Sequence, residues 1–321
     1  VRCINKHKVL ISIFLLSSIF LGGCNSASYE MPYSSDNTNS VAGTQLLETF
    51  SSNLCVVGSD IPKEGITMSN NSCAGLFDLN KKETLYAVNV NERINPASLT
   101  KIMTALVALK YGSLDKVLTA SSNVNISESG AQLIGLSKGD TMTLDQALHL
   151  LLIYSANDAA ELIAENIGGS EDSFVEMMNQ EARSIGAVGC NFRNPHGLTA
   201  ENHYVTAYDM YLIFNEAMKY DTFQEIINMG VYSTTYTKAD GSGKKVDIKS
   251  TNAFLRGDRK APTNITVIGG KTGTTNAAGH CLILLAKDSS GNPYIAVVMR
   301  AEDTDTLYNE MTQLLASCAE Q

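Results

Sequence analysis

The sequence predicts a mixed α/β protein of the α+β kind, with an antiparallel sheet flanked by helices beside an all-helical lobe. Two observations carry that expectation. Short apolar segments bounded by turn residues stand near both ends of the chain, and a long block with helical periodicity lies between them. At 321 residues, 44% hydrophobic and 18% charged, the composition is that of a globular protein large enough to bury a sizeable core.

Ala74 to Asp78 and Thr84 to Val88 read as two strands around the polar turn Leu79 to Glu83. Proline at 96, strong helix formers and a closing Gly112 predict a helix from Ala97 to Lys110, apolar nearly all round and therefore buried. Leu144 to Tyr154 and Ala159 to Ile167 predict two more apolar helices, with Ser155 to Asp158 at their joint and Gly168-Gly169 closing the second. Further helices are expected at Asp172 to Ile185, Ala207 to Met218 and Thr222 to Asn228, and Asn194-Pro195-His196-Gly197-Leu198 is punctuated as a turn. Val231 to Thr237, Val246 to Ile248, Val267 to Thr274, Cys281 to Ala286 and Tyr294 to Met299 then read as strands, the last two joined by a hairpin turn at Asp288 to Asn292. A helix from Thr306 to Ala319 closes the chain, and one antiparallel sheet completed by both ends of the sequence is expected.

The first residues predict export. Arg2, Lys6 and Lys8 form a basic region ahead of Val9 to Leu21, an apolar run too short to span a bilayer and suited to a signal segment. Leu21-Gly22-Gly23-Cys24 resembles a bacterial lipobox, in which cleavage leaves Cys24 as a lipid-modified N-terminus, although an ordinary secretory signal with a Cys by chance fits the same residues. The expected organisation is a lipoprotein signal peptide over 1–23, a flexible Ser/Asn-rich tether over 24–53 and one folded domain over 54–321, on the outer face of the cytoplasmic membrane. The formal charge of −9 becomes −12 without the three basic residues of the signal segment, and such a surface repels nucleic acid. Outside the targeting segment stand Cys55, Cys73, Cys190, Cys281 and Cys318, spaced for neither a zinc ribbon nor a redox pair. A Cys55–Cys73 disulfide is compatible with export, and Cys281 is expected as a small core residue.

Three motifs stand in order: Ser98-Leu99-Thr100-Lys101, Ser155-Ala156-Asn157 and Lys271-Thr272-Gly273. Singly they are weak. Ser-x-x-Lys recurs at Ser113 and Ser242, Ser-x-Asn recurs at six other serines, and only Lys-Thr-Gly is unique. Context selects among the copies. Ser98 and Lys101, three apart, share one face of the first turn of a buried helix, so an amine can reach a hydroxyl there, whereas the other Ser-x-x-Lys copies lie in polar turns. Gly270-Lys271-Thr272 is not a phosphate loop, because the required Gly is Ile265; no Gly-x-Ser-x-Gly elbow and no His-Glu-x-x-His pair exists, and neither a metal nor a cofactor is expected.

With these motifs placed, the chain from about Ala74 to Leu315 resembles the serine-type D-alanyl-D-alanine carboxypeptidases among the low-molecular-mass penicillin-binding proteins, of the β-lactamase and transpeptidase-like superfamily. Pro96 to Leu106, the Asn194 to Leu198 turn and Gly270 to Thr274 running into Ala278 to Leu282 carry the likeness. The resemblance implies a peptidoglycan stem peptide ending in D-Ala-D-Ala as substrate and β-lactams as inhibitors. It implies Ser98 as nucleophile, Lys101 as its base through a pKa lowered by burial and by Lys271, Ser155 as proton relay and Asn157 as a holder of substrate and Lys101. Lys271, Thr272, Gly273 and Thr274 would meet the substrate's carboxylate, with the oxyanion between the N–H groups of Ser98 and Thr274. His196 is expected to brace its turn.

Ala156 stands where the family often has Gly, Thr274 occupies a variable position, and the C-terminal β domain of many relatives is not expected here. A class A β-lactamase would need a Glu followed by Asn four residues on, beyond Ser155, and none is present. A non-catalytic penicillin-binding sensor would have no need of all five motif side chains.

Overall fold

A computed structural model describes residues 51–318. The signal segment, the lipobox with Cys24, all but the last three residues of the tether, and Ala319 at the end of the predicted closing helix lie outside the described residues.

The main sheet is antiparallel with five strands. Strand β1 (Cys73–Asp78), β2 (Glu83–Val88), β7 (Ile265–Thr275), β8 (Gly279–Asp288) and β9 (Pro293–Ala301) lie in the order β2-β1-β9-β8-β7. Both ends of the sequence complete it, since β1 pairs with β9 in the register Leu76 opposite Ala296. The central strands are apolar without interruption because both faces are covered. Along β8, Cys281, Ile283 and Leu285 enter one core while Leu282, Leu284 and Ala286 enter the other. The C-terminal helix, Thr304–Ala316, buries Leu307, Met311, Leu314 and Leu315 in the second core.

Helix α1 (Thr100–Tyr111) runs through the larger core, where Ile102, Met103, Ala105, Leu106 and Val107 are all fully buried. Encirclement by neighbours explains its lack of an apolar stripe. Its partners include α3 (Asn157–Gly168), α4 (Glu171–Ser184) and α5 (Ala207–Ala217). The α5 start is fixed by a reciprocal cap, in which Asp209 N–H donates to Thr206 and the Asp209 carboxylate accepts the Thr206 N–H.

The expected class holds, and the second lobe corrects one detail. It is not all-helical: β3 (Val117–Thr119), β4 (Thr141–Thr143), β5 (Val231–Thr237) and β6 (Gly243–Lys249) form a separate antiparallel sheet. The first two are three residues long, too short for a period-two pattern. The 231–249 hairpin leaves alternate residues exposed and does not join the main sheet.

The helix expected over Leu144 to Tyr154 also differs. It is α-helical only over α2 (Leu144–His149), then widens into a π turn at Leu150–Tyr154 that ends on Ser155 in the left-handed region, φ 70°. Such wide turns recur at functional sites because the extra residue re-aims the chain that follows. Cys55 and Cys73 are both free thiols, not a disulfide; Cys55 Sγ donates to the Asp78 carbonyl at 3.2 Å. Cys281 is fully buried in the core. Among the described residues no helix is long and apolar enough to cross a membrane.

Candidate active site

Ser98 stands on a short 3-10 turn, Ala97–Leu99, leading into α1. The residue before it, Ala97, is held at φ 46°, a conformation that costs a non-glycine residue about 1–3 kcal/mol unless its surroundings impose it. Two glycines let the surroundings close in. A Cβ on Gly197 would lie 1.9 Å from the Ala97 carbonyl oxygen, and one on Gly273 would lie 2.9 Å from the Ser98 nitrogen. A turn and a strand thus clamp the turn that presents the hydroxyl.

Lys101, one helical turn later, is fully buried. Its Nζ lies 2.9 Å from Ser98 Oγ, 2.6 Å from Asn157 Oδ1 and 2.6 Å from the His196 carbonyl oxygen. Burial, and then the nearby Lys271 ammonium, hold the Lys101 pKa well below that of a free lysine. The partner set suits a neutral amine. Two of the three partners can only accept, and they take the two N–H bonds of –NH2; the third is a hydroxyl, whose proton can point at the remaining lone pair. That arrangement can draw a proton from Ser98.

Ser155, aimed by the π turn, accepts a hydrogen bond from Lys271 Nζ at 2.9 Å. Lys271 also donates to the Thr272 carbonyl at 2.8 Å, and burial pushes its pKa down to about 7. Expected at the substrate's carboxylate, Lys271 is wholly buried and does not line the cavity; it stands behind Ser155 and Thr272. Ser98, Ser155, Asn157, Thr272, Gly273 and Thr274 do line that cavity, which has a volume of about 350 Å³. The structure therefore brings all eight sequence-derived residues into one contiguous set, six lining the cavity and the two lysines hydrogen-bonded behind it to Ser98, Asn157 and Ser155.

Several neighbours were missed by sequence reasoning. Gln132, Thr251, Arg256 and His280 line the same cavity. Thr251 Oγ1 accepts from Thr272 Oγ1 at 2.6 Å, and His280 Nδ1 lies 3.4 Å from Thr274 Oγ1. Asp158 organises the wall that carries Gln132: its carboxylate accepts the backbone N–H groups of Ile134, Gly135 and Leu136, while Asn157 N–H donates to the Gln132 carbonyl at 2.8 Å. An acid inside an apolar helix directly after Asn157 was the signal available for it. His196 braces its turn as expected, accepting the Leu198 N–H on Nδ1 at 3.1 Å, and its backbone carbonyl reaches Lys101 besides.

A family model described as D-alanyl-D-alanine carboxypeptidase matches residues 66–303. The chain belongs to this family. Over 247 residues it is 36% identical to the D-alanyl-D-alanine carboxypeptidase DacF of Bacillus subtilis, covering 75% of this chain and 60% of that protein. It is 30% identical over 249 residues to DacC of Escherichia coli, covering 75% of this chain and 59% of DacC, so it spans about three-fifths of the length of these relatives. Among solved structures it is similar to the Streptomyces K15 DD-transpeptidase, at a TM-score of 0.69 and 26% identity over 80% of this chain and 97% of that one.

This member of the D-alanyl-D-alanine carboxypeptidase family also buries a carboxyl outside its motifs. Glu161, 3% exposed and one turn beyond Asn157 on α3, has its pKa raised to about 8 by burial and then by Glu171 and Glu165. The folded state then holds a proton that the unfolded chain releases near pH 4.3. Folded protein binds more protons than unfolded, so stability falls as pH rises from about 5 to 8. Glu161→Gln is expected to flatten that decline, by an amount on the order of a few kcal/mol at pH 8, measured by urea unfolding across the range.

Proposed function

We propose that this protein is a penicillin-sensitive serine D-Ala-D-Ala carboxypeptidase that removes the terminal D-alanine from peptidoglycan stem peptides. The observation that carries the reading is the Lys101 amine, 2.9 Å from Ser98 Oγ and held by two groups that can only accept. In the reaction, Ser98 Oγ attacks the carbonyl carbon between the two D-alanines while its proton passes to Lys101 Nζ. The oxyanion forms against the Ser98 and Thr274 N–H groups, which costs no reorganisation of solvent. Collapse breaks the C–N bond; Ser155 gives its proton to the departing D-alanine amine and is resupplied from the lysines. Water then cleaves the Ser98 ester, with Lys101 taking its proton. Thr272 and Thr274 meet the substrate's C-terminal carboxylate, and Lys271 adds positive potential from behind them.

Incubation of the purified chain with a stem pentapeptide and, separately, with a labelled penicillin tests this. Released D-alanine and a long-lived adduct on the Ser98 peptide are expected. Adduct without D-alanine supports a sensor, and rapid penicillin turnover supports a β-lactamase. No carboxylate is among the described residues that line the cavity, which argues against the carboxylate-held hydrolytic water of a class A β-lactamase.

The same proposal includes export and a lipid on Cys24 that holds the enzyme on the outer face of the cytoplasmic membrane, supported by the lipobox-like run before that residue. Labelling of expressing cells with radioactive palmitate is expected to mark the protein, and Cys24→Ser to remove the mark.

A further inference from the structure

Outside the motifs, a group of three titratable side chains lies next to the Lys101 site: Glu161 is buried, and Glu171 and His196 are half-buried. Oxygens of Glu161 and Glu171 and a ring nitrogen of His196 all lie within 4.8 Å of one another. Glu161 Oε1 is buried without a hydrogen-bond partner. His196 is the residue whose carbonyl oxygen lies 2.6 Å from Lys101 Nζ.

A metal ion fits this group poorly. His196 Nδ1 accepts the Leu198 N–H, so the hydrogen of the neutral ring sits on Nε2. Coordination through Nε2 would require the opposite tautomer, with a hydrogen on Nδ1 facing another N–H. A hydrogen bond fits instead: the ring has a donor and Glu161 has an orphaned acceptor.

We propose that Glu161 is a positioning residue for Lys101: rotation of its carboxyl, which lies within 4.8 Å of the His196 ring, brings the orphaned Oε1 onto His196 Nε2–H and fixes the His196 carbonyl that holds the lysine Nζ. This rests on the function proposed above and names what aligns its base. The Leu198 N–H already holds one edge of the ring; with Glu161 closed on the other edge, the His196 peptide would be kept from swinging away from Lys101. Burial pushes the His196 pKa down to about 3 and the Glu161 pKa up to about 8, which leaves both neutral at pH 7. Neutral Glu161 accepts through its carbonyl oxygen and can donate its proton to Glu171. The other titratable groups facing this set are Glu165 on α3, Asp172 on α4, Lys101 on α1 and His203.

Glutamine reproduces the neutral acid, with an acceptor and a donor, whereas methionine keeps the volume and removes both. The test compares wild type, E161Q and E161M in acylation by a fluorescent penicillin, resolving the bond-forming rate constant from the preceding binding constant. For E161M the rate constant is expected to fall about tenfold with the binding constant unchanged within twofold, because a base displaced by a fraction of an ångström loses rate and not affinity. E161Q should stay within threefold of wild type. Imidazole NMR adds a readout independent of acylation: a downfield, slowly exchanging Hε2 signal from His196 in wild type and E161Q, absent in E161M.

Wild-type acylation and an unchanged Hε2 signal in E161M would overturn the inference. Equal rate losses in E161Q and E161M with matching losses of Tm would also overturn it, in favour of a packing role. Micromolar zinc binding abolished in E161Q would overturn it in favour of a cation site. Absence of any penicillin adduct on the wild-type protein would instead defeat the proposed function, and the Hε2 signal would then decide this inference alone.

Discussion

Lys101→Met should remove acylation while leaving the protein folded. Methionine fills the same channel beside α1 with no lone pair for the Ser98 proton, and loss of a positioned general base costs on the order of 10²–10⁴ in rate. Two opposing effects act on stability. Asn157 Oδ1 and the His196 carbonyl each lose a donor, at about 1–3 kcal/mol apiece for a buried acceptor left alone. Against that, an amine that must be desolvated is replaced by an apolar chain, which is often neutral or stabilising. The chemical loss is therefore the larger effect, and Tm should move by only a few degrees. The variant also tests protonation. The folded Lys101 pKa lies below its unfolded value, so the unfolded state binds more protons and wild-type stability rises with pH from the folded pKa up to about 10.4. Lys101→Met should lack that rise in urea unfolding across alkaline pH. Acylation by Lys101→Met at the wild-type rate would remove the lysine from the mechanism.

Gly197→Ala should damage the fold and the site together. The new Cβ would sit 1.9 Å from the Ala97 carbonyl oxygen and 2.9 Å from Thr100 Oγ1, at a φ of 89° that side chains rarely adopt. A backbone carbonyl cannot rotate out of the way as a flexible side chain can. Either the 194–198 turn lifts or the Ala97–Ser98 peptide is pushed aside. Both break the clamp that holds Ala97 at its strained φ, and both move the His196 carbonyl relative to Lys101. A loss of about 3–5 kcal/mol is expected, read as a Tm lowered by roughly 10 °C. The fraction that remains folded should acylate at least tenfold more slowly, since misplacement of a reacting group by about 1 Å costs up to a hundredfold. Thermal unfolding and penicillin acylation measured on one preparation decide the matter; an unchanged Tm would show that the turn can shift freely.

The three motifs and their host elements were legible because each rests on a local signal. Proline before a run of strong helix formers marks the start of α1, three-residue spacing puts Ser98 and Lys101 on one face, and an uninterrupted apolar run marks β8 as covered on both sides. The separate four-stranded sheet was not legible. Two of its strands are three residues long, and whether the 231–249 hairpin joins the main sheet depends on pairing between distant segments.

Residue types and spacing by themselves determined which groups could do acyl-transfer chemistry. The tertiary structure alone decided how they are wired. It drew Lys271 away from the cavity wall and behind Ser155, it recruited the His196 carbonyl and Asn157 Oδ1 to Lys101, and it set Asp158 under the loop that carries Gln132. None of these contacts joins neighbours in sequence. Each depends on burial, which sets both the pKa of an amine and the need of every polar atom for a partner, and burial is a property of the packed chain.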